Sequence, residues 1–143
     1  MKGALVADTG GLLRALARKA NGRAAFPDYE AALVEASAVI VPGAVLVEVD
    51  YFLRDERTAM RRLVEELFDA RTTYEFEPDR PADIVRALHI DAKFRELSLG
   101  LTDGIVAAVA ERRRVWRVLT TDRRDFSAVR VGARYERALT LVP

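Results

Sequence analysis

Half of the 143 residues are hydrophobic, and 23 basic side chains nearly offset 22 acidic ones. The chain is therefore sized for one core, with roughly two-thirds of its unfolded surface buried, and any preference for nucleic acid must come from local clustering of charge. No cysteine is present, which excludes disulfides, thiolate metal sites and cysteine nucleophiles; with no apolar run near the ~18 residues of a membrane span and too short an apolar opening for a signal peptide, the expectation is a cytoplasmic protein without membrane association.

Ala4-Leu5-Val6-Ala7 is a short apolar run bounded by Asp8, the pattern of a strand buried on both faces with a carboxylate at its carboxyl end. Thr9 is placed to cap a helix with Leu12, Leu13 and Leu16 at helical spacing, Arg14, Arg18 and Lys19 on other faces, and Asn21-Gly22 as the stop. A linker over Ala24 to Asp28 leads to a short helix over Tyr29 to Ser37. Val39-Ile40-Val41 reads as a second buried strand stopped by Pro42-Gly43.

Val45 to Arg54 has a helical rhythm of apolar residues that Glu48 interrupts. Arg57 to Ala70 is an amphipathic helix, Thr73 to Phe76 alternates like a strand, and Ala82 to Leu97 returns to helix. Thr102 is a candidate cap for the next helix, with Asp103 in its first turn, where the helix dipole favours negative charge. Val118-Leu119-Thr120 is the next buried strand, Arg123 to Ser127 a loop or single turn, and Leu139 to Val142 a last strand. No repeat or low-complexity tract appears, so residues 1–143 are expected to form a single domain.

Strands alternating with helices predict an α/β fold: a three-layer α/β/α sandwich with a mostly parallel central sheet and right-handed crossovers. Ligands in such sheets gather at the carboxyl ends of the strands. Asp8 and Asp122 follow apolar strands, while Glu48 and Asp103 lie in helices entering from the same side. Carboxylates brought together in this way need positive charge. Oxygen-only ligands suit Mg²⁺ or Mn²⁺, and the chemistry such a site supports best is metal-assisted phosphodiester hydrolysis.

Val6-Ala7-Asp8-Thr9-Gly10-Gly11-Leu12, Val47-Glu48-Val49, Leu99-Gly100-Leu101-Thr102-Asp103 and Leu119-Thr120-Thr121-Asp122-Arg123-Arg124-Asp125-Phe126 together resemble the PIN domain, and more closely its VapC-type toxin ribonucleases of toxin–antitoxin operons. The pieces run in family order over nearly the whole chain. By that resemblance Asp8, Glu48, Asp103 and Asp122 match the family's acidic metal-binding quartet and Asp125 a frequent additional acid. Thr9 matches a small polar residue supporting the first carboxylate, and Thr121 a polar position beside the last. Gly104 departs from the alanine common after the third acid and is expected to loosen the helix start slightly. The resemblance also implies Mg²⁺ or Mn²⁺ dependence, endonucleolytic RNA cleavage, a homodimer, and inhibition by a cognate antitoxin.

Each residue also has a plainer reading. Asp8 alone is a turn or cap residue, and Asp103 alone an ordinary acid of a first helical turn. Glu48 is costly on an apolar helix side unless paired or ligating, with Arg54 or Arg57 as the available partners. Asp125 is either a surface ion pair or an occasional ligand, His89 a helical histidine rather than a general base, and Asp50 solvent-facing. Arg14, Arg123 and Arg124 are candidates to track an RNA backbone, whereas Arg112 to Arg114 read as a solvated face and Trp116 and Tyr51 as core or dimer packing. The competing functions are a housekeeping PIN-type nuclease and a non-catalytic nucleic-acid- or protein-binding PIN-like module. A phosphoacceptor receiver is disfavoured, because the lysines, Lys2, Lys19 and Lys93, do not follow a late strand.

Overall fold

The computed structural model describes residues 2–143. Its centre is a five-stranded sheet of β1 (Leu5–Ala7), β2 (Val39–Pro42), β3 (Tyr74–Glu77), β4 (Arg117–Leu119) and a last strand, β7 (Thr140–Val142), in the spatial order β3-β2-β1-β4-β7. Every neighbouring pair is parallel. Before β7 the chain forms a small antiparallel pair, β5 (Arg130–Val131) with β6 (Arg137–Ala138). Two-residue strands have no period to read, and this pair had no sequence signal.

All residues of β1 and β2 are buried, as expected where helices cover both faces of a parallel sheet. The edge strands β3 and β7 are partly exposed. The helices are α1 (Thr9–Leu16), α2 (Pro27–Glu35), α3 (Gly43–Phe52), α4 (Arg57–Leu67), α5 (Pro81–Lys93), α6 (Gly100–Arg113) and α7 (Arg123–Ala128). None of them is long and apolar enough to cross a membrane. The three-layer α/β/α architecture is the one expected. Leu12 and Leu119 are fully buried in its core, and truncating either to alanine should cost about 2–5 kcal/mol.

Several boundaries differ from the sequence expectations for local physical reasons. Asp8, not Thr9, occupies the N-cap of α1, and its side chain makes no capping bond. That helix ends at Leu16, well before Asn21-Gly22, because Arg18 bridges back to Ala24 around a turn in which Gly22 takes a φ of 82°. Proline begins α2 and α5, where its missing N–H costs nothing. Helix α6 starts at Gly100 rather than after Thr102, with Asp103 still in its first turn. Arg123 to Ala128 forms a short helix, capped by the Asp122 carboxylate accepting from the Asp125 N–H.

From β1 the chain moves outward through β2 to β3, then returns to place β4 on the other side of β1. The order reverses between β1 and β4, and in parallel α/β sheets the crevice outside the carboxyl ends of the strands at such a point is where ligands bind. The Asp8 N–H still pairs with the Leu119 carbonyl at 2.9 Å. The residues just beyond the two strands are therefore neighbours.

Candidate functional site

Asp8 leaves β1 as the N-cap residue of α1, but its carboxylate makes no capping hydrogen bond to the helix. Its Oδ2 accepts a 2.8 Å hydrogen bond from the hydroxyl of Thr120, a fully buried residue at the end of β4. The same hydroxyl oxygen accepts from the Asp122 N–H at 2.9 Å. One side chain thus uses its single proton on one acid and a lone pair on the backbone of another, tying the two strand ends together. In the sequence Thr120 carries only the signal of a last strand residue, because a β-branched residue after Val-Leu offers no other.

The first turn of α1 lies against the end of β4. A Cβ on Gly11 would run into the Leu119 carbonyl, and one on Gly10 into the Thr121 hydroxyl. These two glycines allow the approach that brings Asp8 beside Asp122. Thr9 is buried between them and Asp8, and its Oγ1 is a buried polar atom without a hydrogen-bond partner.

Glu48 comes from α3, whose start is held by the Asp79 carboxylate accepting from the Ala44 N–H at 3.2 Å. The arginines considered as partners for Glu48 are engaged elsewhere. Arg57 binds Asp50 at 2.7 Å, and Arg54 donates to the Tyr51 carbonyl at 2.7 Å. Asp103 comes from the first turn of α6. Its neighbour Gly104 is buried against α5, where an added Cβ would lie 2.8 Å from the Ala87 carbonyl. Glycine at this position therefore permits close packing of α5 on α6, rather than merely loosening the helix start.

The electrostatics record how close these acids are. Burial, followed by the charges of Asp8, Asp122, Glu48 and Asp125, pushes Asp103 up to about 7. Asp8 is also raised, first by burial and then by Glu48 and Asp122, against the lowering effect of the Thr120 hydrogen bond and the Thr9 backbone. Asp125 is raised by burial, by the Asp122 charge and by their hydrogen bond, while Arg124 opposes the shift. Asp103, Asp122 and Asp125 each offer a carboxylate oxygen, all within 4.8 Å of one another. Among the described residues, no salt bridge reaches Asp8, Glu48, Asp103, Asp122 or Asp125.

Crowded carboxylates without a salt bridge among the described residues, with a buried hydroxyl unused beside them, fit a hard divalent cation. The set is all oxygen, as Mg²⁺ or Mn²⁺ prefers. The other candidates scatter. Thr121 is half-buried against Gly10. Arg14 is exposed on α1, Arg124 is exposed beside Asp125, and Arg123 donates to the Pro143 carbonyl at 3.3 Å. His89 is exposed on α5. Tyr51 is 60 % exposed, so it is not core, while Trp116 is half-buried with the Arg137 guanidinium over its ring. Arg112 and Arg113 are not simply solvated: Arg112 pairs with Glu77 of β3 and Asp83 of α5, and Arg113 with Glu75 and Glu77 of β3, while Arg114 is exposed.

Comparisons with known proteins bear on the family and the fold. The PIN domain family model matches residues 5–132. Ribonuclease VapC26 of Mycobacterium tuberculosis is 34 % identical over 114 residues, covering 75 % of this chain and 82 % of that protein. The crystal structure of VapC20 from the same organism, described as a sarcin–ricin loop cleaving toxin, superposes with a TM-score of 0.67 at 16 % identity, covering 82 % of this chain and 89 % of that one.

Proposed function

The chain belongs to the PIN domain family, and from that premise we propose that it is an endoribonuclease hydrolysing RNA phosphodiester bonds with Mg²⁺ or Mn²⁺, as the toxin of a toxin–antitoxin pair. The observation that carries this reading is the group of acids from separate elements, joined through Thr120 and without a cationic partner. Its kinship with a ribonuclease supports the reaction class.

In this reading Asp8, Glu48, Asp103 and Asp122 hold the cation, with Asp125 as a further oxygen donor. A divalent cation bound there supplies activation of water and stabilisation of the charge that develops on the attacked phosphate. The protein's own contribution is orientation. Thr120 fixes the Asp8 carboxylate and the backbone of Asp122, and the Asp122 side chain holds the start of α7. Thr9, buried beside Asp8, supports that carboxylate, Thr121 lines the approach, and Arg14, Arg123 and Arg124 supply positive charge for the RNA backbone. Residues 1–143 act as one domain in the cytoplasm, as a homodimer whose site a cognate antitoxin covers.

Purified protein should cleave single-stranded or looped RNA only with Mg²⁺ or Mn²⁺, and Asp8→Asn and Asp103→Asn variants that remain folded should neither cleave nor bind Mn²⁺ comparably. Parental activity and Mn²⁺ binding in both variants would refute the site. Growth arrest on expression, relieved by a small adjacent gene, tests the toxin role separately.

A further inference from the structure

Among the cations near the site, Arg14 stands apart. Arg18, one turn further along, is paired with Glu30, whereas Arg14 has no salt bridge among the described residues and is exposed. Its guanidinium lies over the ring of Phe26, 4.8 Å from the centroid, and over Tyr29 at 5.4 Å. The two rings meet edge to face at 6.2 Å and 78°. Phe26 is 39 % exposed and lies outside the core. The result is an exposed planar cation backed by an aromatic pair.

This group is physically linked to the acids. The Tyr29 hydroxyl lies 3.5 Å from the Thr120 carbonyl, the long limit of a hydrogen bond, and the Thr120 hydroxyl donates to Asp8. Two side-chain links separate the aromatic pair from a proposed cation ligand. Helix α1 forms the other connection, running from Asp8 to Arg14 within two turns.

We propose that Arg14, backed by Phe26 and Tyr29, is a stacking platform for an unpaired RNA base flanking the bond to be cut. The inference rests on the endoribonuclease reading above and adds to it a basis for preferring unpaired RNA. Bases in a duplex have both faces covered, while a splayed base can lie on a guanidinium plane or an aromatic ring. A platform of this kind favours purines, whose stacking area is larger. The positive charge adds attraction for the strand without reading its sequence. The plane itself supplies the selectivity.

Arginine and lysine separate stacking from simple charge, because lysine retains the charge and loses the plane. In an Asp103→Asn background, which stops turnover, binding of fluorescently labelled unpaired RNA is followed by anisotropy. Arg14→Ala should weaken the Kd on the order of tenfold. Arg14→Lys should weaken it nearly as much, and Phe26→Leu, which keeps an apolar side chain at the surface, by a smaller factor. With Asp103 intact, sequencing of cleavage ends should show a purine preference at one position beside the cut, flattened in Arg14→Ala. Parental affinity in Arg14→Lys, or an unchanged base preference in Arg14→Ala, would overturn the platform. RNA binding that depends on Arg14 without any metal-dependent cleavage would leave the platform standing and refute the nuclease. Cleavage by the parent with binding unaffected in all three variants would do the reverse.

Discussion

Helix α6 carries two acidic neighbourhoods, one at each end, separated by roughly 14 Å of helix. At its start, Asp103 faces Asp8, Glu48, Asp122 and Asp125 with no basic partner, and is pushed up to about 7. At its end, Arg112 clasps Asp83 through hydrogen bonds of 3.0 and 2.9 Å and reaches Glu77 at 3.0 Å, while Arg113 joins Glu77 to Glu75. Burial alone would raise Glu77, but the hydrogen bonds and charges of the two arginines outweigh it and hold its carboxyl below the usual range. The chain thus shows that it can neutralise buried carboxylates with its own cations. At the crevice it does not, and that difference marks the crevice as a place for a cation from outside.

The comparison breaks most sharply under substitution. Asp103→Asn should reduce RNA cleavage at least on the order of 100-fold while leaving the melting temperature of the metal-free protein unchanged or higher, because it removes one member of a repelling set. Arg112→Ala should do the opposite. It leaves Asp83 buried without its partner and Glu77 with Arg113 alone, and should cost about 2–3 kcal/mol of stability with kcat per folded molecule retained. Thermal melts of both variants beside a cleavage assay test the contrast; a destabilised Asp103→Asn would show that its charge is satisfied within the fold.

The acids of the crevice could be read from sequence because each has a positional signature. Asp8 and Asp122 end apolar strands, Glu48 interrupts an apolar helix, and Asp103 follows a Gly-Leu-Thr entry to one. The features that organise them could not. Thr120 looks like one more strand residue until β1 and β4 are seen side by side, a pairing of residues more than a hundred positions apart. Gly104 looks like a weak helix former until α5 is seen against it. The arginines at the end of α6 looked solvated for the same reason, since their partners lie on β3 and α5. Patterns along the chain specify elements and their faces; contacts between distant elements are set by the fold.

Thr120 gives the next test. Thr120→Val preserves shape and burial but removes the hydroxyl, leaving the Asp122 N–H unpaired and the Asp8 carboxylate without its donor. Loss of such a support typically costs 10- to 100-fold in metal affinity or activity. The expected result is a fall of about that order in kcat and Mn²⁺ affinity, with little change in KM for RNA, and recovery in Thr120→Ser. If Thr120→Val loses only stability, the hydroxyl is a structural bond and not a support for the site.

The two neighbourhoods should also titrate in opposite directions, and this is the smallest effect. Asp103 has a folded pKa of about 7 against an ordinary 3.8, so between those values the metal-free folded state holds a proton that the unfolded chain has released. Stability from this group is therefore present at low pH and is lost as pH rises across that window. Glu77 is shifted down, so its contribution is present above its ordinary value of 4.5 and is lost only as pH falls through its lowered folded value. Melting temperatures of the metal-free protein should then decline modestly from about pH 4 to about pH 7, the decline should shrink in Asp103→Asn to the part that the raised Asp8 and Asp125 contribute, and Mn²⁺ should reverse it, because a bound cation displaces the proton and favours the ionised form. A decline undiminished in Asp103→Asn would show that Asp103 is not the main titrating group and weaken the electrostatic distinction between the two ends of α6.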